Sequence, residues 1–124
     1  TQTSRPNKNI YSITSLGKEK LAHWVLIPSE PTTIREDLMI KTQVGFLVPR
    51  PAIIEELKRR QQIHLTNLEV IKAIEDQEFP DLSLMTIEQK FHYLTLRRGI
   101  RFEADWVDWC GEAIALVEAM DQKN

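Results

Sequence analysis

The last third of the chain has the clearest pattern of hydrophobic and polar positions. Its apolar residues recur at alternating intervals of four and three, a spacing that places them on one face of an α-helix. We call these residues the aromatic stripe: Phe102, Trp106, Trp109, Ala113, Leu116 and Met120. Upstream, the segment T-I-E-Q at residues 86–89 has the form of a capping box, which marks a helix start. The pattern therefore predicts a long terminal helix that ends near Ala119.

A second long helix is predicted between Pro51, a residue that suits the first helical turn, and about Asp76. Its inner positions also follow spacings of three and four: Ile54, Leu57, Gln61, His64, Leu68 and Ile71. Two of these six are polar. We therefore expect His64 to be either a hydrogen-bonded core histidine or a polar residue in a seam between helices.

Two shorter helices are predicted before these. Thr14 suits the N-cap of a helix that should end near Pro28, because the residue before a proline disfavours helical geometry. This helix is expected to bury four apolar side chains: Leu16, Leu21, Trp24 and Val25. A capping box is also predicted at residues 33–36, T-I-R-E, opening a helix that should reach about Val48.

The first residues show a different pattern. Residues 10–13, I-Y-S-I, have the alternation and the residue types of a β-strand. No partner strand precedes them, so we expect residues 1–13 to be the remnant of a hairpin and residues 14–124 to form one helical domain. The predicted fold class is all-α, with about four helices, a long C-terminal helix that forms a dimer seam, and a short strand before them.

Composition excludes several classes of protein. The chain has 124 residues, enough for one modest domain, and Cys110 is its only cysteine, so no intramolecular disulfide is expected. No apolar run approaches the ~18 residues of a membrane span, and no signal peptide is evident. These features favour a cytoplasmic protein with no membrane partner. The net charge is −2, yet residues 1–20 carry four basic residues and one acidic residue.

Several segments in order resemble the PadR-type transcriptional regulators. The resemblance lies in four places: Tyr11–Thr14 with Gly17, Leu21 and Trp24; residues 28–31; residues 34–41; and residues 96–100 with Trp106 and Trp109. In that family the first of these is the junction between the wing of a winged helix and the first C-terminal helix. The resemblance covers nearly the whole chain, and it identifies residues 10–13 as the last strand of a wing.

The resemblance implies a role in gene regulation. In the family, a winged helix-turn-helix reads DNA, while the helical C-terminal part forms a homodimer and often responds to a small-molecule effector. The winged domain is absent from this sequence except for the end of its wing, where Arg5 and Lys8 would contact the DNA backbone weakly. The aromatic stripe would form the dimer interface. The alternative is that the stripe packs against the other helices of its own chain.

Family resemblance also suggests where a ligand could bind. Trp106 and Trp109, with Asp105 beside them, could stack on a flat aromatic or cationic compound. Residues 102–121 hold six acids and no lysine or arginine, so these acids could equally form a solvated face while the indoles pack in the core.

Catalytic and metal sites find no support in the pattern. The three histidines lie on different predicted helices, and neither zinc-type spacing nor a phosphate-binding loop is present. We therefore expect no enzyme activity, no metal and no cofactor. A second hypothesis for the function is a free-standing helical adaptor that binds a protein partner through the aromatic stripe.

Overall fold

A computed structural model describes residues 13–120 of the chain, and these residues contain four α-helices and two short 3-10 turns. The helices are α1 (Ser15–Val25), α2 (Asp37–Gln43), α3 (Arg50–Glu78) and α4 (Ile87–Glu118), with the turns at Gly45–Leu47 and Leu82–Leu84. No strand occurs among the described residues, so the prediction of an all-α fold with about four helices is confirmed. The predicted wing strand lies outside them except for Ile13, which has no strand geometry.

The chain divides into two compact units between Arg35 and Glu36. The first unit contains α1, and the second contains α2, α3 and α4. The predicted boundary between residues 1–13 and 14–124 falls at the edge of the described residues and stays a prediction.

Helix α1 begins where the sequence predicted, but its apolar face is not buried. The Thr14 hydroxyl accepts a hydrogen bond of 2.9 Å from the Gly17 amide, which satisfies one of the free donors at the helix start. The four side chains expected to be buried, Leu16, Leu21, Trp24 and Val25, are each at least half exposed. That expectation was wrong because no second helix lies among residues 13–35 to cover this face.

Helix α2 begins later and is shorter than predicted. Its N-cap is Glu36, whose Oε2 accepts a hydrogen bond of 3.2 Å from the Leu38 amide, so the capping box predicted at residues 33–36 is wrong. The helix ends at Gln43 and continues as the 3-10 turn that leads to Pro49. A tertiary contact explains the later start of α2, because Arg60 of α3 donates two hydrogen bonds to the Glu36 carboxylate.

The two long helices pack against each other as an antiparallel hairpin. Helix α3 starts at the Pro49–Pro51 segment and runs close to its predicted limits. The predicted capping box opens α4: the Gln89 amide donates to the Thr86 hydroxyl at 3.1 Å, and the Thr86 amide donates to the Gln89 side chain at 2.8 Å. None of the helices in the described residues is long and apolar enough to span a bilayer.

The core of the second unit lies where α2 meets the open end of the hairpin. Leu38, Leu57 and Ile114 form its centre, one residue from each helix, and Leu57 is fully buried. Partly buried side chains surround them: Ile53, Ile54, Trp106, Trp109, Ala113 and Val117. At the opposite end of the hairpin, the Tyr93 hydroxyl and the Arg97 guanidinium both donate to Oε2 of Glu75, at 2.7 and 3.1 Å. Polar contacts therefore fix the end of the hairpin that has little apolar core.

Candidate functional site

An open cavity of about 660 Å³ lies beside the core, where α3 begins and α4 ends. Its walls come from α2, the 3-10 turn at Gly45–Leu47, the proline segment before α3, and the last turns of α4. Leu57 and Trp109 lie at its inner side, and Phe46, Leu116 and Met120 line its more exposed parts. This volume falls within the range of small-molecule sites in proteins, roughly 300–1,000 Å³.

The structure brings only one of the predicted ligand-binding residues to this cavity. Trp109 lines it, whereas Trp106 and Asp105 do not. Trp106 lies next to Trp109 instead, with the two rings edge to face and their centroids 5.7 Å apart. Both indoles pack against the core of their own chain, which agrees with the packing alternative for these two residues.

Charged and aromatic side chains come together around Trp106 in a group that we call the Arg60 cluster: Glu36, Arg60, His64, Glu103 and Trp106. Arg60 forms two parallel hydrogen bonds to the Glu36 carboxylate, of 2.9 and 3.1 Å. Its guanidinium carbon also lies 4.8 Å from the centroid of the Trp106 ring, which allows a cation–π interaction. The cluster therefore joins the start of α2, the middle of α3 and the middle of α4.

His64 is the buried polar centre of this cluster, which confirms the expectation of a hydrogen-bonded core histidine. Its Nδ1 lies 2.6 Å from Oε1 of Glu103, and its Nε2 lies 3.3 Å from Nη2 of Arg60. Arginine only donates hydrogen bonds, so both contacts are satisfied in the tautomer whose Nδ1 donates to Glu103 and whose Nε2 accepts from Arg60. The imidazole also stacks on Trp106, with centroids 4.9 Å apart and planes 6° apart.

The electrostatics of the cluster are clearest at Glu36. Hydrogen bonds from Arg60, with a smaller contribution from the Leu38 amide, lower the pKa of Glu36 from 4.5 to about 2. The positive charge of Arg60 favours the ionised form of the Glu36 carboxylate, so Glu36 stays charged at physiological pH. The pair is strengthened by its two-point geometry.

We expect Glu36→Gln to lower the stability of the protein at neutral pH by about 1–2 kcal/mol, allowing for partial solvent screening. A carboxylate with a lowered pKa stabilises the fold above its unfolded value of 4.5, and this contribution is lost as the pH falls towards about 2. The difference between variant and parent should therefore shrink across that window in urea unfolding. Glu69→Gln, which alters an exposed carboxylate on α3, is the control and should show no such trend. A constant difference from pH 7 to pH 2 would contradict the ion pair.

The residues of the aromatic stripe fall into two groups. Trp106, Trp109 and Ala113 are partly buried against their own core, whereas Phe102, Leu116 and Met120 are 43%, 63% and 46% exposed. The stripe therefore serves the chain's own packing through its middle and leaves apolar surface at both ends. The predicted DNA-backbone residues Arg5 and Lys8 lie outside the described residues.

Cys110 is fully buried on α4, and burial raises the pKa of its thiol, which disfavours the reactive thiolate. Among residues 13–120, no three potential ligand side chains come together as a metal site would require. The described residues therefore contain two candidate features for a function, the cavity beside Trp109 and the Arg60 cluster.

Sequence reasoning missed Arg60, Glu36 and Glu103 as members of one cluster. Arg60 lies in the basic run at residues 58–60, where a solvated face is the usual expectation. A signal was available, because Arg60 lies one turn before His64 on the inner face of the helix. The cavity had no such signal, since its walls come from residues 42–57 and 109–120.

Comparison with known proteins relates this chain to transcriptional regulators. The family model described as "Virulence activator alpha C-term" matches residues 34–118. A protein of Mycobacterium tuberculosis described as a probable transcriptional regulator is 27% identical over 99% of this chain and 69% of its own. The chain thus spans about two thirds of the length of such a relative.

Two solved regulators share the fold. The Vibrio cholerae virulence activator AphA has a TM-score of 0.76 at 23% identity, over 90% of this chain and 66% of its own. Bacillus subtilis PadR in complex with p-coumaric acid has a TM-score of 0.72 at 19% identity, over 84% of this chain and 64% of its own. PadR in complex with operator DNA has a TM-score of 0.72 at 18% identity, over 94% and 68% of the two chains.

Proposed function

Because this chain belongs to the PadR-like family of transcriptional regulators, within the region matched by the virulence activator C-terminal model, we propose that it is the dimerisation and effector-sensing part of such a regulator. Operator DNA would be read by a winged helix-turn-helix domain of the same regulator. Two copies of this part would set the spacing of two such domains on the operator, and an effector would alter that spacing.

The observation that carries the dimer proposal is the apolar surface that the hairpin leaves uncovered. On α4, Ile87, Phe91 and Leu94 are 75%, 65% and 63% exposed, in addition to the uncovered ends of the aromatic stripe. A two-helix hairpin has too few neighbouring elements to bury apolar positions on both sides. Extended apolar surface of this kind on a soluble protein is typical of an interface with another chain.

A second copy of the chain is the proposed partner because self-association suits a regulator that reads a two-fold symmetric site. Closed two-fold dimers are the commonest oligomers, and they present the same patch on both subunits. Along α4, Ile87, Phe91 and Leu94 follow the four–three spacing of a helix-to-helix seam, and the exposed stripe residues follow the same spacing one residue out of phase with them. Phe102 would lie in that interface, with the middle of the stripe supporting it from inside, whereas Leu116 and Met120 are exposed but line the cavity.

Support for the effector and DNA parts of the proposal comes from the cavity and from the relatives. PadR of Bacillus subtilis was solved with p-coumaric acid and, separately, with operator DNA. The cavity beside Trp109 gives this chain a place of suitable volume for a small molecule.

Sedimentation velocity over a range of protein concentrations tests the dimer proposal. We expect a species of twice the 14.5 kDa mass of one chain that persists at low micromolar concentration. A mass of one chain at every concentration would contradict the dimer and would leave the exposed surface to a different protein, as the adaptor hypothesis requires.

A further inference from the structure

The cavity beside Trp109 is already present in the single chain, without a ligand or a second copy. Pro49 and Pro51 fix the backbone on one side of it, because the proline ring restricts the rotation about its own N–Cα bond. The opposite side is the last three turns of α4, and Leu57 at its inner limit is fully buried. The Arg50 guanidinium donates a hydrogen bond of 3.2 Å to the Met120 carbonyl oxygen, so the start of α3 is tied to the end of α4.

The polar groups around the cavity are few, and they limit what can bind. The Thr42 hydroxyl donates a hydrogen bond of 2.7 Å to the Leu38 carbonyl oxygen within α2, so its proton is already used. Among the described residues that line the cavity, only Arg50 and Glu112 are charged, and their charges are opposite, so these lining residues together add no net charge. The remaining side chains are apolar, with one indole and one phenyl ring among them.

We propose that this cavity is a ligand site within a single chain, and that its ligand is an uncharged, mainly apolar compound with two or three linked or fused rings. The site differs from the one that the sequence predicted, because neither Trp106 nor Asp105 contributes to it. Rings of this kind would contact Trp109 and Phe46 and would displace water from apolar walls, which is favourable in proportion to the area covered. The inference rests on the effector-sensing half of the proposed function.

Contacts between neighbouring side chains connect the cavity to the start of α2. A ligand against Trp109 contacts the ring that packs edge to face on Trp106, and Trp106 lies under Arg60, which holds Glu36 at the start of α2. Occupation of the cavity would therefore act on the residue at which the second unit begins.

Two fluorescent probes that share one skeleton test the site and its ligand class. N-phenyl-1-naphthylamine is uncharged, and 1-anilinonaphthalene-8-sulfonate carries a sulfonate in addition. We expect saturable binding of the uncharged probe at one site per chain, with energy transfer from tryptophan, and at least tenfold weaker binding of the sulfonate, a difference of about 1.4 kcal/mol. Tighter binding of the sulfonate, or no saturable binding of the uncharged probe, would overturn the proposal.

Two pairs of variants locate the probe. Ala113→Phe fills the cavity from α4 and should weaken binding at least tenfold, whereas Ala115→Phe adds the same ring to an exposed position and should leave it unchanged. Phe46→Ala removes a wall, and Leu47→Ala is its control, since both residues are exposed and Leu47 does not line the cavity. Circular dichroism checks that each variant folds. If Ala113→Phe fails to fold, the Phe46 pair decides; equal effects within a pair would overturn the location.

The mass of each sample separates this inference from the dimer proposal. A monomeric chain that binds the uncharged probe would retain the site and refute the dimer. A dimer that binds no probe, or whose affinity for the probe falls as the chain self-associates, would refute this site and leave the dimer proposal in place.

Discussion

Replacing Leu57 by alanine is expected to lower the free energy of unfolding by about 2–5 kcal/mol. Leu57 is fully buried and lies against Leu38 of α2 and Ile114 of α4. Its truncation removes apolar contacts with both neighbours and leaves a void that three helices would have to close. Leu57 is also among the residues at the inner side of the cavity, so its truncation would enlarge that space as well.

Thermal and urea unfolding, followed by circular dichroism at one fixed protein concentration, measure this loss. The melting temperature should fall by roughly 10 °C or more for a domain of this size. Ile63→Ala, on the same helix at a position that is 41% exposed, is the control and should cost less than about 1 kcal/mol. Similar small costs for both variants would show that α2 does not pack on the hairpin as described.

Phe102→Glu is expected to raise the dissociation constant of the proposed dimer by about 100-fold or more. The substitution places a carboxylate where the seam would bury a phenyl ring, and a buried unpaired charge is strongly unfavourable. Phe102 is a better probe than Trp109, because Trp109 packs against its own core and lines the cavity. Phe102 is 43% exposed and does not line the cavity.

Sedimentation equilibrium would show the change as a shift from two chains to one at micromolar concentration. Ala115→Glu introduces the same charge at an exposed position on a different face of α4, and it should leave the mass unchanged. Equal effects of the two variants would point to net charge as the cause. An unchanged mass for Phe102→Glu would exclude this residue from the interface.

Local signals in the sequence predicted the helix starts well where the cap involves neighbouring residues alone. The hydroxyls of Thr14 and Thr86 each accept a hydrogen bond from the amide three residues later, and both helix starts were predicted correctly. The cap predicted at Thr33 failed because Glu36 has a partner 24 residues away in Arg60. Residues 33–36 offer two possible N-caps, Thr33 and Glu36, and the local sequence does not show which of them a residue distant in the chain will stabilise.

The periodicity of the chain predicted which faces are apolar but not what covers them. Leu57 and His64 were placed on the inner face of α3, and both are buried. The same reasoning placed Leu16 and Trp24 in a core, and both are exposed. Periodicity is a property of one helix, whereas burial depends on a second element, so the cavity and the Arg60 cluster emerge only when residues far apart in sequence are brought together.

Glu36 both caps α2 and binds Arg60, and this determines where the protein tolerates changes in chain length. Residues 28–35 form no helix, and they precede a residue whose position is fixed by α3. Insertions or deletions within residues 28–35 would leave α2 and the cavity in place. Removal of one residue between Glu36 and Pro49 would pull the carboxylate away from Arg60 or break the turn that walls the cavity. Natural length variation among relatives should therefore collect before Glu36 and stop there.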